Sequence, residues 1–106
     1  MLEIGVEELK EKLDQGERVH LVDVREPHEV RICRLPGAEL IPMMKLFLGQ
    51  SPAAATADEV VVFCHVGIRS LEAARYLQAR GYPRARSLVG GIDAWAERVD
   101  PSLRRY

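Results

Sequence analysis

The chain has 106 residues, of which 47% are hydrophobic and 29% charged, with a formal net charge of -1 at pH 7. This length and composition predict one globular domain over residues 1–106, with a core that needs no disulfide bonds. The near-neutral charge argues against nucleic acid or an anionic membrane as a partner. Two cysteines are too few for a disulfide framework, and the first residues show no secretory leader, so we expect a cytoplasmic protein.

Apolar, β-branched runs alternate with stretches of helical spacing, and Gly16, Gly81 and Pro83 mark helix ends. In the first helix Glu8 and Lys12 are one turn apart and are predicted to pair. Strands are predicted at 2–4, 19–24, 39–41, 60–63 and 86–89, and helices at 6–15, 27–32, 43–48, 70–80 and 92–99. This alternation predicts an α/β fold with a mainly parallel sheet covered by helices on both faces.

Three chemically suggestive segments follow predicted strands, at 23–26, 64–69 and 90–91. Because ligands bind outside the carboxyl ends of parallel strands, we expect the three segments to share one pocket. The Gly90-Gly91 pair does not match a dinucleotide fingerprint and is interpreted as a close-packed turn.

The most informative segment runs from Cys64 to Ser70, between a buried strand and the start of a helix. Unpaired amides and the positive end of the helix dipole favour a thiolate at Cys64, and the thiolate is the nucleophilic form. Gly67 is expected to let the loop curl so that its N–H groups face inward. Arg69 is expected to add a fixed positive charge to the same turn. Besides the nucleophile Cys64, the residues of this loop predicted to bind substrate are His65, Val66, Gly67, Ile68, Arg69 and Ser70.

The other candidate side chains have less certain roles. Arg25 is predicted to bind the anionic end of a substrate, or else to pair with nearby carboxylates at Asp23, Glu26 or Glu29. Asp23 is interpreted as a structural acceptor for loop N–H groups. His65 is predicted at the exposed rim of the pocket, because adjacent side chains in a tight loop diverge, and there it would influence substrate choice.

Cys33 is predicted to be a buried or half-buried thiol, with a resolving cysteine for Cys64 as the minor alternative. No pair of cysteine or histidine residues has the spacing of a metal clamp, so no metal site is predicted. The roles of Trp95 and the segment 104–106 are left open. Both could contact a partner, or Trp95 could pack in the core and the segment could be a frayed terminus.

Four motifs, in this order, resemble those of the single-domain rhodanese-like sulfurtransferases. They are Asp23-Val24-Arg25-Glu26-Pro27 with Glu29, Leu35-Pro36-Gly37-Ala38 with Ile41-Pro42, the Cys64 to Ser70 loop, and Gly90-Gly91-Ile92 with Trp95. The resemblance covers nearly the whole chain. It departs at Cys33-Arg34-Leu35, where the family commonly has Gly-His-Ile.

The resemblance implies a three-layer α/β/α rhodanese fold in which Cys64 attacks the outer sulfur of thiosulfate or a protein persulfide. Cys64 would then hold a persulfide and pass the sulfur to cyanide or a thiol, with no metal or organic cofactor. The implied partners are a small sulfur donor and a thiol or protein acceptor, and the oligomeric state is left open. Two alternatives remain. One is a sulfur-relay or binding module with little thiosulfate turnover. The other is a small cysteine phosphatase or arsenate reductase, which the short loop disfavours: four residues separate Cys64 from Arg69, whereas the phosphatase motif has five.

Overall fold

A five-stranded parallel sheet forms the centre of the structure, a computed structural model that describes residues 2–106. Met1 lies outside the described residues. It is the first residue of the N-terminal segment for which the sequence predicts no secretory leader. The strands are β1 (Glu3–Ile4), β2 (His20–Asp23), β3 (Glu39–Leu40), β4 (Val60–Phe63) and β5 (Ala85–Leu88). The helices are α1 (Val6–Asp14), α2 (Pro27–Val30), α3 (Met43–Phe47), α4 (Ile68–Ala79) and α5 (Gly91–Arg98). The strand order is β1-β5-β4-β2-β3, and every neighbouring pair is parallel.

The central strand β4 is fully buried because helices cover both faces of the sheet. Val60 and Val62 point into an apolar cluster that includes Leu46 of α3 and Leu77 of α4. Val61 and Phe63 point into a second cluster, which includes Leu9 of α1 and Ile92 of α5. The predicted three-layer α/β/α arrangement with a parallel sheet is therefore confirmed.

The ten predicted elements are all present, with boundaries that differ by at most two residues, and β4 has the predicted bounds. Helix α4 begins at Ile68 rather than Ser70, because Gly67 takes a left-handed conformation (φ 97°) and acts as the N-cap. As a result Arg69 lies in the first turn of α4 and not in the preceding loop. Strand β5 begins and ends one residue before its predicted bounds.

Within residues 2–106, the predicted ion pair between Glu8 and Lys12 is absent, so this prediction is wrong. Lys12 Nζ lies 3.1 Å from a carboxylate oxygen of Glu59, and Glu8 lies 3.5 Å from a guanidinium nitrogen of Arg86. Glu59 is buried and needs cationic partners, which outweighs an exposed pair along the helix. None of the helices in residues 2–106 has the length and apolar character needed to cross a bilayer.

Candidate active site

Cys64 follows the last residue of β4, and its sulfur is enclosed by the start of α4. The backbone N–H groups of Gly67 and Ser70 donate to Sγ at 3.2 Å and 3.3 Å. The Cys64 thiol donates to Ser70 Oγ at 3.5 Å, and that hydroxyl is 2.7 Å from Ser87 Oγ. Only 1% of Cys64 is exposed. Two amides and a hydroxyl therefore surround a nearly buried sulfur, an environment that stabilises negative charge on it.

The turn between β5 and α5 holds the Cys64 loop from behind. The carbonyls of Cys64 and His65 accept hydrogen bonds from Ile92 N at 2.9 Å and Asp93 N at 3.0 Å. Gly91 makes this approach possible, since a Cβ there would lie 2.5 Å from both carbonyl oxygens. The segments predicted to meet at 64–69 and 90–91 are thus in direct contact.

Arg69 forms a two-pronged ion pair with Glu29 of α2, at 2.8 Å for each N–H···O contact. This pairing and, to a smaller extent, the charge of Cys64 raise the pKa of the Arg69 guanidinium above its usual value. The sequence predicted that Arg69 adds a fixed positive charge to the turn that holds the sulfur. The structure places there a cation whose two terminal nitrogens each donate to Glu29, so the carboxylate partly offsets the positive charge near Cys64.

Glu29 connects several parts of the site although it lies in a helix of only four residues. Besides Arg69, it accepts hydrogen bonds from Glu26 N at 2.9 Å and from the Tyr106 hydroxyl at 2.9 Å. The Arg69 hydrogen bonds, helped by those from Glu26 and Tyr106, hold the pKa of Glu29 at about 2, against the opposing effect of burial. Burial raises the pKa of the Tyr106 phenol, so the phenol stays protonated and can donate. Glu29 is therefore an anion across the physiological pH range.

Arg25 is fully buried, which favours the alternative role predicted for it, pairing with nearby carboxylates, over contact with substrate. Its guanidinium donates to both carboxylate oxygens of Asp23, at 2.7–3.2 Å, and to the Cys33 carbonyl at 2.8 Å. Burial alone lowers the pKa of Arg25, but the hydrogen bonds to Asp23 and Tyr106 outweigh it and leave the pKa above its usual value. The alternative interpretation, a structural ion pair with Asp23, is the one the structure supports. Asp23 also accepts the Arg25 N–H at 3.0 Å, as expected of a loop acceptor.

His65 is half-buried rather than exposed at the rim. The ring of Tyr106 stacks on it, with centroids 3.9 Å apart and an angle of 7° between the planes. The buried Nε2 of His65 has no hydrogen-bond partner within the described chain. The segment 104–106 therefore packs beside the Cys64 loop instead of fraying, and Trp95 packs against the apolar cluster on the α5 side.

Cys33 is buried, as predicted, but it is not placed to resolve a persulfide on Cys64. It belongs to the cluster on the α1 and α5 face of the sheet, together with Phe63. Cys64 belongs to the cluster on the opposite face, together with Val62. Both thiols are free.

Sequence reasoning did not identify Ser87 or Tyr106 as part of the site. A signal for Ser87 was available, because a serine in register with Val62 at the centre of a buried sheet requires a polar partner. Nothing in the sequence indicated where the Tyr106 ring would pack. The remaining loop residues, Val66 and Ile68, expose 46% and 74% of their surface and give the mouth of the site an apolar edge.

The ion pair between Glu29 and Arg69, here called the Glu29 clamp, predicts a specific dependence of the free energy of unfolding on pH. The folded-state pKa of about 2 lies below the ordinary 4.5, so the contribution of Glu29 is complete above about pH 5 and is lost as the pH falls toward 2. The full contribution is on the order of 3 kcal/mol. Urea unfolding should show Glu29→Gln less stable than wild type at pH 7 and nearly equal to it at pH 2. A gap independent of pH would contradict this assignment.

Known proteins share the sequence pattern and the fold of this chain. Residues 5–98 match the family model described as the rhodanese-like domain. A sulfurtransferase of Allochromatium vinosum is 40% identical, over 89% of this chain and 87% of its own. The probable adenylyltransferase/sulfurtransferase MoeZ of Mycobacterium tuberculosis is 38% identical over 93% of this chain, which spans only 26% of that relative. The crystal structure of a rhodanese-like domain protein from Staphylococcus aureus superimposes with a TM-score of 0.83 and 32% identity, over 100% of this chain and 99% of that one. The chain belongs to the rhodanese-like family of sulfurtransferases and sulfur carriers.

Proposed function

We propose that this chain, taken as one rhodanese-like domain, transfers a sulfane sulfur by way of a persulfide on Cys64. The observation that carries the proposal is the pair of amides, Gly67 N and Ser70 N, that donate to Sγ at 3.2 Å and 3.3 Å. Amides fixed in this position stabilise the attacking thiolate and then the charge on the added sulfur. The sulfurtransferase relatives make the same chemistry the best supported reading.

The reaction takes place in two balanced steps. The Cys64 thiolate attacks the outer sulfur of a donor, a new S–S bond forms, and the donor leaves with the electron pair of the old bond. Thiosulfate would release sulfite, and a persulfide would release a thiolate. An acceptor such as cyanide or a thiol then takes the outer sulfur and regenerates Cys64. The steps need no metal or organic cofactor, and two free thiols suit a reducing compartment such as the cytoplasm.

Intact-mass analysis tests the proposal. Wild-type protein incubated with a sulfur donor should gain the mass of one sulfur atom, and cyanide should remove it. Cys64→Ser should gain nothing, whereas Cys33→Ser, which removes the other buried thiol, should load like wild type. Loading of Cys64→Ser would show that the nucleophile is misassigned. Phosphate release from an aryl phosphate by wild type but not by Cys64→Ser would indicate a cysteine phosphatase instead.

A second candidate function, a sulfur relay with little thiosulfate turnover, is favoured by the state of the two arginines. Arg25 is buried, and Arg69 uses one N–H of each terminal nitrogen to bind Glu29, so the two arginines offer less charge and fewer N–H groups to the sulfonate end of thiosulfate. Val66 and Ile68 instead present apolar surface around the opening. Such an opening suits a thiol or protein persulfide better than a small dianion.

Releasing Arg69 should therefore shift the preference toward thiosulfate. In Glu29→Gln the ion pair is lost, and we expect the ratio of kcat/KM for thiosulfate to kcat/KM for a neutral thiol persulfide to rise about tenfold, since one charge-assisted contact becomes available. Glu72→Gln is the matched control, because it breaks the exposed pair with Arg75 in the same helix. An unchanged ratio in Glu29→Gln would mean that the clamp does not select the donor.

A further inference from the structure

Three arginines in the described chain, Arg31, Arg34 and Arg104, have neither an ion pair nor a contact with an aromatic ring. All three are exposed. Each of the other arginines of residues 2–106 contacts a carboxylate or a ring. We call Arg31, Arg34 and Arg104 the basic rim.

Arg104 is held beside the Cys64 loop by its neighbours in the chain. Leu103 packs against the apolar cluster on the α5 side. Arg105 is bound to Asp93 at 2.9 Å, and Tyr106 stacks on His65 at 3.9 Å. Arg104 itself lines a shallow surface depression together with Cys33 and His65. The position of its backbone is therefore fixed next to the residue that follows the nucleophile.

Arg34 and Arg31 are fixed on the α2 side of the same region. The backbone before Arg34 is tied down because the Cys33 carbonyl accepts from buried Arg25 at 2.8 Å, and Leu35 after it is buried. Arg31 is the C-cap of α2, the helix that carries Glu29. The nearby exposed carboxylate, Glu26, is engaged in the capping box of α2. The three arginines thus lie on chain segments that are held beside the site, since Glu29 of α2 contacts Arg69, and Cys33 lines the same depression as His65 and Arg104.

We propose that the basic rim binds the acidic segment of a protein that delivers sulfur to Cys64 as a cysteine persulfide. This inference rests on the proposed function and names the class of donor. In the delivery step the Cys64 thiolate attacks the outer sulfur of the partner's persulfide, the Cys64 S–S bond forms, the partner's S–S bond breaks, and the partner cysteine leaves as a thiolate. The rim takes no part in bond making. It steers the partner and fixes its orientation through charge complementarity.

The arrangement of the charges on the basic rim favours a protein partner over a small anion. The rim residues are spread over two separate segments, 31–34 and 104, so they suit several carboxylates on one chain. Arg69 and Arg25 are each paired with a carboxylate, so less of their charge is available to a single small anion. The apolar edge formed by Val66 and Ile68 can pack against the side chains that flank a partner cysteine.

Three synthetic cysteine-persulfide peptides of equal length test the proposal: one flanked by Asp and Glu, one by Ser, and one by Lys. Loading of Cys64 is followed by intact mass at low ionic strength. We expect kcat/KM to fall in the order acidic, neutral, basic, with about tenfold between the first and the last, and we expect added salt to reduce the difference. In the double variant Arg34→Gln/Arg104→Gln the three rates should converge. In the matched double variant Arg18→Gln/Arg75→Gln, which removes two exposed charges elsewhere, the order should persist.

Several results would overturn the proposal. Equal rates for the three peptides would show that the rim does not select acidic partners, although the sulfur chemistry would stand. An acidic preference that survives in Arg34→Gln/Arg104→Gln would place the selection elsewhere. If that variant lost thiosulfate loading as much as acidic-peptide loading, the rim would serve a free inorganic anion. Failure of every peptide and of thiosulfate to load Cys64 would refute the proposed function itself.

Discussion

Gly91→Ala is expected to lower sulfur loading of Cys64 at least tenfold and to destabilise the protein by about 3 kcal/mol. Gly91 has φ 59°, and a Cβ at this position would lie 2.5 Å from the carbonyl oxygens of Cys64 and His65. The left-handed conformation costs an alanine about 1–2 kcal/mol. Separating the two segments also weakens the hydrogen bonds from Ile92 N and Asp93 N, at about 1 kcal/mol each. The loop that carries the nucleophile must move, and displacements near 1 Å can reduce a rate by up to about 100-fold.

Gly37→Ala provides the matched control for this experiment. Gly37 also has a left-handed backbone, with φ 79°, but a Cβ there would have no atom within 4 Å. Gly37→Ala should therefore lower the free energy of unfolding only by the conformational cost of about 1–2 kcal/mol, and sulfur loading should be unchanged. Urea unfolding and intact-mass loading compare the two variants. Equal losses in both would show that the close approach of Gly91 to the Cys64 loop is not important.

The fold was predictable from sequence because its strongest elements are locally consistent. The run of four apolar, β-branched or aromatic residues at Val60–Phe63 can be satisfied only in a strand that is buried on both faces. The glycines at 16 and 81 end the helices before them in left-handed conformations, as predicted. The first and last residues of the helices and strands were harder to predict than their presence. The start of α4 depends on the backbone angles of Gly67, and an amino-acid sequence does not specify those angles.

The site was only partly predictable, because its decisive contacts join residues that are far apart in sequence. Strand ends and a helix start placed the Cys64 loop correctly. The clamp between Arg69 and Glu29 spans 40 positions, and it depends on how α2 is oriented. A local signal did exist, since proline at the first helical position and glutamate at the third, Pro27 and Glu29, are typical of a helix start. That signal predicts the helix but does not reveal which cation Glu29 binds.

Arg25→Met is expected to destabilise the protein by about 3–5 kcal/mol, because it leaves a buried carboxylate without its cation. Asp23 and Arg25 are both buried, and the closest contact between them is 2.7 Å. The guanidinium also holds the carbonyls of Glu29 and Cys33, at 3.3 Å and 2.8 Å, and so fixes the C-terminal part of α2 and the segment that follows it. Loss of Arg25 should therefore also loosen the Glu29 clamp on Arg69. Urea unfolding measures the first effect, and the ratio of thiosulfate to persulfide turnover measures the second.

Two further variants separate the charge from the packing of Arg25. Adding Asp23→Asn to Arg25→Met removes the unpaired charge, so the double variant should be more stable than Arg25→Met alone, while the lost bonds to the carbonyls keep it below wild type. Arg98→Met, which breaks an exposed pair with Glu7 at 3.5 Å, should cost less than about 1 kcal/mol. No recovery in the double variant would mean that Arg25 acts through packing and its carbonyl contacts rather than through the Asp23 charge. Recovery would show that the acidic-arginine motif after β2 is an internal brace, which leaves the choice of sulfur donor to the groups at the mouth of the Cys64 loop.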